Sequence, residues 1–127
     1  MTRIKVPDWE RLQHIEEYIT QLYSLTNSIN SFEDFIRDWK VYKLASRLME
    51  DICEAGINIS EETQAQFPQV DWTGMAGTRL ILAHKYFKVE WNQLWNAIVH
   101  SIPLLERQVV EMKKYLKEKG HKPSRRT

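Results

Sequence analysis

The sequence predicts an all-α fold in a single domain. Apolar residues recur at spacings of three and four along most of the 127 residues, which is the period of one helical face. No segment alternates apolar and polar residues as a half-buried strand does. Four Gly and four Pro are few, which favours long helices over turn-rich β structure. A chain of this length forms one domain and buries a core without a disulfide or a metal.

The first helix is predicted from Asp8, as its N-cap, to about Thr26. Its apolar face repeats at helical spacing. The residues of this face are Leu12, Ile15, Ile19 and Leu22. Residues 27–30 break the helix, and Ser31 then opens a capping box that has Asp34 at its fourth position. This box predicts a short second helix.

A third helix is predicted from about Trp39 to Asn58. One apolar stripe runs along it and consists of Val41, Leu44, Leu48, Ile52, Ala55 and Ile59. Gly56 near its end costs about 1 kcal/mol relative to Ala, so it either permits close contact with another helix or marks the helix end. Ser60 begins a further turn of helix, which Pro68 stops.

The fourth helix, capped by Asp71 and broken at 88–90, carries the only stretch that suggests phosphate chemistry. In this stretch Arg79 is followed by four residues, His84, one residue and Tyr86. On apolar spacing alone, His84 would be a core histidine and Arg79 an ordinary surface residue.

The last helix is predicted from a regular run of apolar residues. They are Trp91, Trp95, Ile98, Ile102, Leu105, Val109, Met112 and Leu116. Pro103 lies inside this run, so the helix either bends there or breaks after Ser101. Gly120 is the predicted C-terminal cap. Four tryptophans are expected in the core or at a dimer interface rather than stacked on nucleobases: Trp39, Trp72, Trp91 and Trp95.

Composition excludes several classes of site. Cys53 is the only cysteine, so an intrachain disulfide and a cysteine-rich zinc site are both excluded, and a reducing compartment is indicated. His14, His100 and His121 are too far apart in sequence to suggest a metal cluster. No apolar run approaches about 18 residues and the N-terminus has no hydrophobic signal region, so we expect a soluble, cytoplasmic protein without a membrane partner.

Basic residues are concentrated at the C-terminal end. Residues 113–127 contain seven Lys or Arg and one acidic residue, whereas the rest of the chain has eleven basic and sixteen acidic residues. Such an end either contacts RNA or an acidic partner, or is a solvated tail.

Several short motifs occur in a specific order along the chain. They lie at 50–55, 68–72, 77–87 (with R-x4-H-x-Y-F), 89–95 and 102–105 (I-P-x-L). R-x4-H alone is a weak signal, but the ordered set is much more specific. It resembles the HepT-like family of HEPN domains over residues 8–116, nearly the whole chain.

This resemblance implies a domain over 1–119, followed by a basic flexible tail at 120–127. The implied fold is an antiparallel bundle of four to five helices that dimerises and brings two Arg–His motifs to one cleft. The implied activity is that of a metal-independent endoribonuclease toxin, without a cofactor, which cleaves tRNA or mRNA. The implied partner is a small MntA-like nucleotidyltransferase antitoxin of a type VII toxin–antitoxin system.

The resemblance also assigns roles to residues. Arg79 and His84 would be catalytic, and Tyr86 would be modified by AMPylation. The chemistry is consistent with these residue types, because histidine exchanges protons near neutral pH and guanidinium binds phosphate oxygens bidentately. AMP on Tyr86 would block the site sterically and by repulsion between like charges.

Helical geometry adds a constraint. Residues five apart point about 140° away from each other, whereas residues seven apart share a face. Arg79 therefore faces the same way as Tyr86 but not as His84. We expect the helix to loosen near His84, or the two motifs of a dimer to complement one another.

Two further residues leave alternatives open. Glu54 is either an acid that holds Arg79 or an exposed helical glutamate. Leu80 occupies a position where the family usually has a polar residue, often Asn. The chain is therefore either an active ribonuclease or a catalytically degenerate binding module that pairs with a nucleotidyltransferase. In a purely structural helical dimer, Arg79 and His84 would be unimportant.

Overall fold

The structure is a computed structural model that describes residues 6–84 and 89–120. Within these residues the chain is helical and contains no strand, which confirms the predicted all-α class. The helices are α1 (Asp8–Thr26), α2 (Phe32–Arg37), α3 (Trp39–Ile57), α4 (Glu61–Gln66), α5 (Trp72–His84), α6 (Trp91–Asn96) and α7 (Ile102–Glu118). A π-helical segment (Ala97–Ser101) joins α6 to α7, so that these three form one continuous last helix.

Four long helices form the bundle, and side-chain contacts show that α1 and the last helix run antiparallel. Lys113 on α7 contacts Glu16 on α1 at 2.7 Å, while the Tyr23 hydroxyl, near the other end of α1, donates to Glu106 at 3.1 Å. Burial and the bond to the Glu106 carboxylate raise the pKa of Tyr23 to about 12. The two short helices, α2 and α4, have six residues each and precede long helices.

Asp8 has a different role from the one predicted. It is the first residue of α1 and Pro7 holds the cap position without a side-chain bond. The Asp8 carboxylate accepts hydrogen bonds from the Ser60 backbone N–H (2.9 Å), the Ser60 hydroxyl (2.6 Å) and the Thr63 hydroxyl (2.7 Å). Through these bonds Asp8 fixes the beginning of α1 to the beginning of α4.

The buried face of α3 is rotated relative to the predicted stripe. Leu44 is 49% exposed, so its prediction as a core residue was wrong, and Ala45 and Met49 are buried instead. Residues at spacings of three or four define two faces on this helix, because α1 and α5 pack on different sides of it. Leu48 and Ile52 are shared by the predicted and observed faces and are buried.

The last helix neither breaks nor starts anew at Pro103. Pro103 lacks an N–H, and its ring would clash with the carbonyl four residues earlier in a regular α-helix. The π segment just before it changes the hydrogen-bond pattern, and the Ile102 N–H bonds to the carbonyl of Ala97, five residues back. The helix then continues to Glu118, and Gly120 follows it with a φ of 88°, a left-handed conformation that suits a helix cap.

The bundle core is apolar and continuous from α1 to α7. The core side chains with no exposed surface are Leu12, Ile15, Leu22, Phe35, Ala45 and Val109. In the described part of the chain, no helix is both long and apolar enough to cross a membrane.

Candidate functional site

Arg79 lies on α5, and the close approach of α5 to α3 fixes its position. A Cβ atom on Gly56 of α3 would lie 2.5 Å from the sulfur of Met75 on α5, so the missing side chain lets the two helices approach. Gly56 is also the penultimate residue of α3, so both predicted roles apply to it. The first turn of α5 is capped by Asp71, whose carboxylate accepts the Gly74 N–H at 3.0 Å.

Glu54 holds Arg79 directly. The Arg79 Nε–H donates to Glu54 Oε1 at 2.6 Å, and the two side chains are 33% and 45% exposed, respectively. This contact decides between the two interpretations of Glu54 in favour of a partner for Arg79. It uses the Nε–H, which lies on the edge of the guanidinium. The pair of terminal nitrogens at the end of the fork is the part that matches a phosphate.

Asn58 in turn fixes Glu54. Its amide nitrogen donates to Glu54 Oε2 at 3.1 Å and to the Glu54 backbone carbonyl at 2.8 Å. Both neighbouring atoms are oxygens, so the amide must present its nitrogen to them. The result is a chain of contacts from Asn58 through Glu54 to Arg79, in which each carboxylate oxygen has its own donor. Sequence analysis missed Asn58, although its spacing of four from Glu54 on a helix is the available signal.

His84 is the last residue of α5 and is exposed, so the apolar spacing that would make it a core histidine is misleading. The helix is continuous from Trp72 to His84. Arg79 and His84 therefore project about 140° apart in one protomer. Tyr86 and the predicted loosening after His84 lie outside the described residues.

Leu80 is 47% exposed beside Arg79 and contributes no polar group. The polar side chain expected here from the resemblance would reach solvent rather than the core. Leu82, two residues on, is buried and anchors α5 in the bundle.

An apolar groove separates α5 from the last helix. One hollow of about 280 Å³ is lined by residues that include Met49, Cys53, Met75, Thr78, Leu104 and Leu105. A second hollow of about 240 Å³ continues it, sharing Met49 and Thr78 and adding Ile81 and Leu94. Burial raises the pKa of Cys53 to about 12, so its thiol stays protonated and unreactive at neutral pH. Leu104 and Ile81, which line these hollows, leave a large part of their apolar surface exposed.

The predicted tryptophans divide into two groups. Trp72, Trp91 and Trp95 are partly buried against the core, whereas Trp39 is 60% exposed at the start of α3. Of the two predicted positions, a core position is therefore excluded for Trp39, and a dimer interface stays a prediction. Of the described residues, no three His, Cys, Asp or Glu side chains form a group that could hold a metal ion.

Comparison with a family model and with known proteins points to one family. The family model described as "Ribonuclease HepT-like" matches residues 15–112. A protein of Caldanaerobacter subterraneus subsp. tengcongensis named "Putative RNase" is 37% identical over 80% of this chain and 89% of its own length. The "Probable ribonuclease HepT" of Thermococcus cleftensis is 34% identical over 81% of this chain and 93% of its own length.

A third relative, a "Putative RNase" of Methanocaldococcus jannaschii, is 32% identical over 80% of this chain and 83% of its own length. No solved structure matches the chain. The matched region includes Arg79, His84, and the two residues Glu54 and Asn58 that lie in the line of contacts to Arg79. The chain belongs to the HepT-like ribonuclease family.

Proposed function

We propose that this protein is a metal-independent endoribonuclease in which Arg79 and His84 act on the RNA phosphodiester. The observation that carries the proposal is the 2.6 Å contact between Arg79 Nε and Glu54, in a chain of a ribonuclease family. A guanidinium held by one edge has its orientation fixed before substrate arrives. Pre-oriented charge stabilises a transition state without a reorganisation cost during the reaction.

The proposed reaction uses the nucleophile that RNA itself carries. The 2′-hydroxyl loses its proton and its oxygen attacks the adjacent phosphorus. The bond from phosphorus to the 5′-oxygen breaks, leaving a 2′,3′-cyclic phosphate and a 5′-hydroxyl that takes up a proton. His84 moves the proton, and positioned proton transfer of this kind contributes about 10²–10⁴-fold. The Arg79 guanidinium stabilises the charge that builds up on the phosphoryl oxygens.

We propose that the active form is a homodimer. Because Arg79 and His84 diverge by about 140° on one continuous helix, they converge on one phosphate more readily when each protomer supplies one of them. The apolar groove beside α5 and the exposed Leu104 near it provide an apolar surface for a second copy. A twofold interface would bring both motifs to one cleft.

Regulation is proposed to follow the toxin–antitoxin pattern that the sequence resembles. An MntA-like nucleotidyltransferase would attach AMP to Tyr86, two residues after His84. The added phosphate would repel the RNA phosphate from the site. Co-expression with a cognate nucleotidyltransferase, followed by mass spectrometry of the peptide containing Tyr86, tests this step. An unmodified peptide in the inactive complex would contradict it.

The ribonuclease activity is tested by incubating the purified protein with tRNA or mRNA in the presence of a chelator. Cleavage should be seen on a denaturing gel and should fall at least about 10²-fold in Arg79→Ala and His84→Ala. Arg107→Ala and His14→Ala are matched controls, because both residues are exposed and lie on other helices. Equal loss in the controls, or cleavage that persists without Arg79 and His84, would refute the assignment.

The second candidate is a degenerate member that binds its partner but does not cleave RNA. Exposed Leu80 beside Arg79 favours it, because an apolar residue stands where the sequence resemblance leads us to expect a polar group. In that case the wild type is inactive in the same assay and Leu80→Asn restores cleavage. An active wild type excludes this candidate.

A further inference from the structure

The outward face of α3 combines cations with an exposed aromatic ring. Trp39 is 60% exposed at the first position of the helix, and the Arg47 side chain is 70% exposed two turns later. Lys40 and Lys43 lie between them and are also exposed. We call these four residues the α3 ridge. The Lys43 ammonium lies 6.0 Å from the centre of the Trp39 ring, so charge and aromatic surface are adjacent.

The helix dipole does not explain the ridge cations. A helix is stabilised by acids near its beginning and cations near its end, and the effect is confined to the first and last turns. The acid at the beginning of α3 is Asp38, whose carboxylate accepts the Lys40 N–H at 3.0 Å. Of the three ridge cations only Lys40 lies in the first turn, where a cation is unfavourable, and Lys43 and Arg47 lie beyond it.

The ridge leads to the Arg79 site. At 100° per residue, Lys43 and Arg47 each lie within about 20° of Glu54 around the helix axis. Arg47 precedes Glu54 by about 10 Å along the axis and Trp39 precedes it by about 22 Å. Glu54 is the residue that holds Arg79. Cations and an aromatic ring are thus aligned on the face of α3 that ends at the candidate active site.

The contact that Arg47 makes within the protein does not explain this residue as structural. Arg47 contacts Asp51 through Nε at 3.3 Å, but a pair this exposed contributes little to stability. Lys113 on α7 is a useful contrast, since its ammonium bonds Glu16 at 2.7 Å and lies 4.7 Å from the centre of the Trp9 ring. That lysine joins two helices, whereas the Arg47–Asp51 pair lies within a single helix.

We propose that the α3 ridge is a docking surface for single-stranded RNA that guides the strand toward Arg79. The cations would neutralise successive phosphates, and the indole of Trp39 would stack on a base about 22 Å from Glu54. Proteins that bind single strands combine these two features, because every base has an aromatic face and every nucleotide a charge. The identification of RNA as the occupant rests on the proposed ribonuclease function.

The test measures binding rather than cleavage. A fully 2′-O-methylated single-stranded oligonucleotide lacks the nucleophile, so its affinity can be followed by fluorescence anisotropy at several salt concentrations. Lys43→Gln with Arg47→Gln should weaken binding and lower the slope of log K against log salt by about 1.4, at 0.7 per cation. Trp39→Ala should weaken binding about 5- to 150-fold with little change in that slope.

The control is Arg107→Gln, which removes one cation from the exposed surface of α7 outside the basic C-terminal segment. We expect it to leave affinity within about twofold of wild type, since that arginine lies on another helix. Thermal unfolding checks the fold of the ridge variants, and we expect little change in stability for the double Gln variant, because the Arg47–Asp51 pair that it removes is exposed. In cleavage assays the ridge variants should raise KM and leave kcat unchanged.

The outcomes separate this proposal from the ribonuclease proposal. Binding that depends on the ridge in a wild type that does not cleave supports docking and refutes catalysis. The docking proposal is overturned if the protein cleaves RNA but the ridge substitutions do not weaken RNA binding. It is also overturned if the control substitution on α7 weakens RNA binding equally. Ridge variants that bind RNA normally but no longer copurify with a nucleotidyltransferase would also overturn it, because the surface would then be a protein interface.

Discussion

At the scale of single residues, the candidate site depends on a line of polar contacts. Asn58 donates to one oxygen of Glu54, and the other oxygen accepts the Arg79 Nε–H at 2.6 Å. A partly exposed ion pair of this kind contributes at most about 1 kcal/mol to folding. Its larger effect is expected on orientation, since small displacements of a group that binds the reacting phosphate strongly reduce the rate.

We therefore expect substitutions along this line to reduce activity more than stability. Glu54→Ala should lower kcat about 10²-fold, because Arg79 loses its fixed orientation. Asn58→Ala should lower kcat less, because Glu54 keeps Arg79 but loses one donor. Glu54→Gln should recover part of the loss, because its amide oxygen still accepts the Arg79 Nε–H. Steady-state kinetics and thermal unfolding of the same variants measure both effects.

Glu17→Gln, an exposed glutamate on α1, is the control for removal of one acid. The Arg79 Nε–Hε signal in a nitrogen–proton NMR spectrum gives a readout that is independent of cleavage. It should move in both Glu54 variants and in Asn58→Ala. An unmoved signal with reduced activity would mean that Glu54 acts on something other than Arg79.

At the scale of helices, the sequence predicts where each helix begins and ends better than it predicts which face of the helix is buried. Helical spacing predicted α1, α3, α5 and the last helix within a few residues. It misassigned Leu44, because α3 packs against two helices and the spacing does not indicate the direction of each neighbour. The contact between Glu54 and Arg79 joins α3 to α5. Spacing along one helix does not reveal contacts with another, so the sequence left two interpretations of Glu54 open.

Pro103 illustrates a second limit at this scale. The sequence predicted a bend or a break, since an interior proline removes one hydrogen bond and obstructs another. The π segment is a third solution, in which one turn carries an extra residue and the helix continues. Ile98 within this segment and Ile102 just after it remain buried, so the core packing is continuous where the helix continues. The spacing of apolar residues does not show how strongly their packing opposes a break of the helix at Pro103.

At the scale of the whole molecule, a single copy of the chain does not direct Arg79 and His84 to one place. Arg79 is held at the α3–α5 contact, while His84 projects about 140° away at the end of the same helix. The alternatives are a change of direction beyond His84 and a second copy that supplies the other residue. Residues of the groove, such as Leu104, favour the second copy, because apolar surface next to a functional site commonly marks an interface.

The proposed dimer interface is tested by introducing one charged side chain into it. Leu104→Glu places a carboxylate beside the groove and should convert the dimer to monomer in light scattering, with loss of cleavage. Val110→Glu is the control, because Val110 is an exposed apolar residue of the same helix that does not line the groove. A wild type that is monomeric and fully active would remove the dimer proposal.

Mixing inactive variants distinguishes a shared site from two separate ones. If Arg79 and His84 of different protomers form one site, a mixture of Arg79→Ala and His84→Ala protein contains mixed dimers with one intact site. After subunit exchange, half of the dimers are mixed and each has one site of two, so activity should return to about a quarter of wild type. If each protomer uses its own pair, no dimer in the mixture has an intact site and the mixture stays inactive. Recovery should be lost when Leu104→Glu is present in both variants, because formation of mixed dimers then fails.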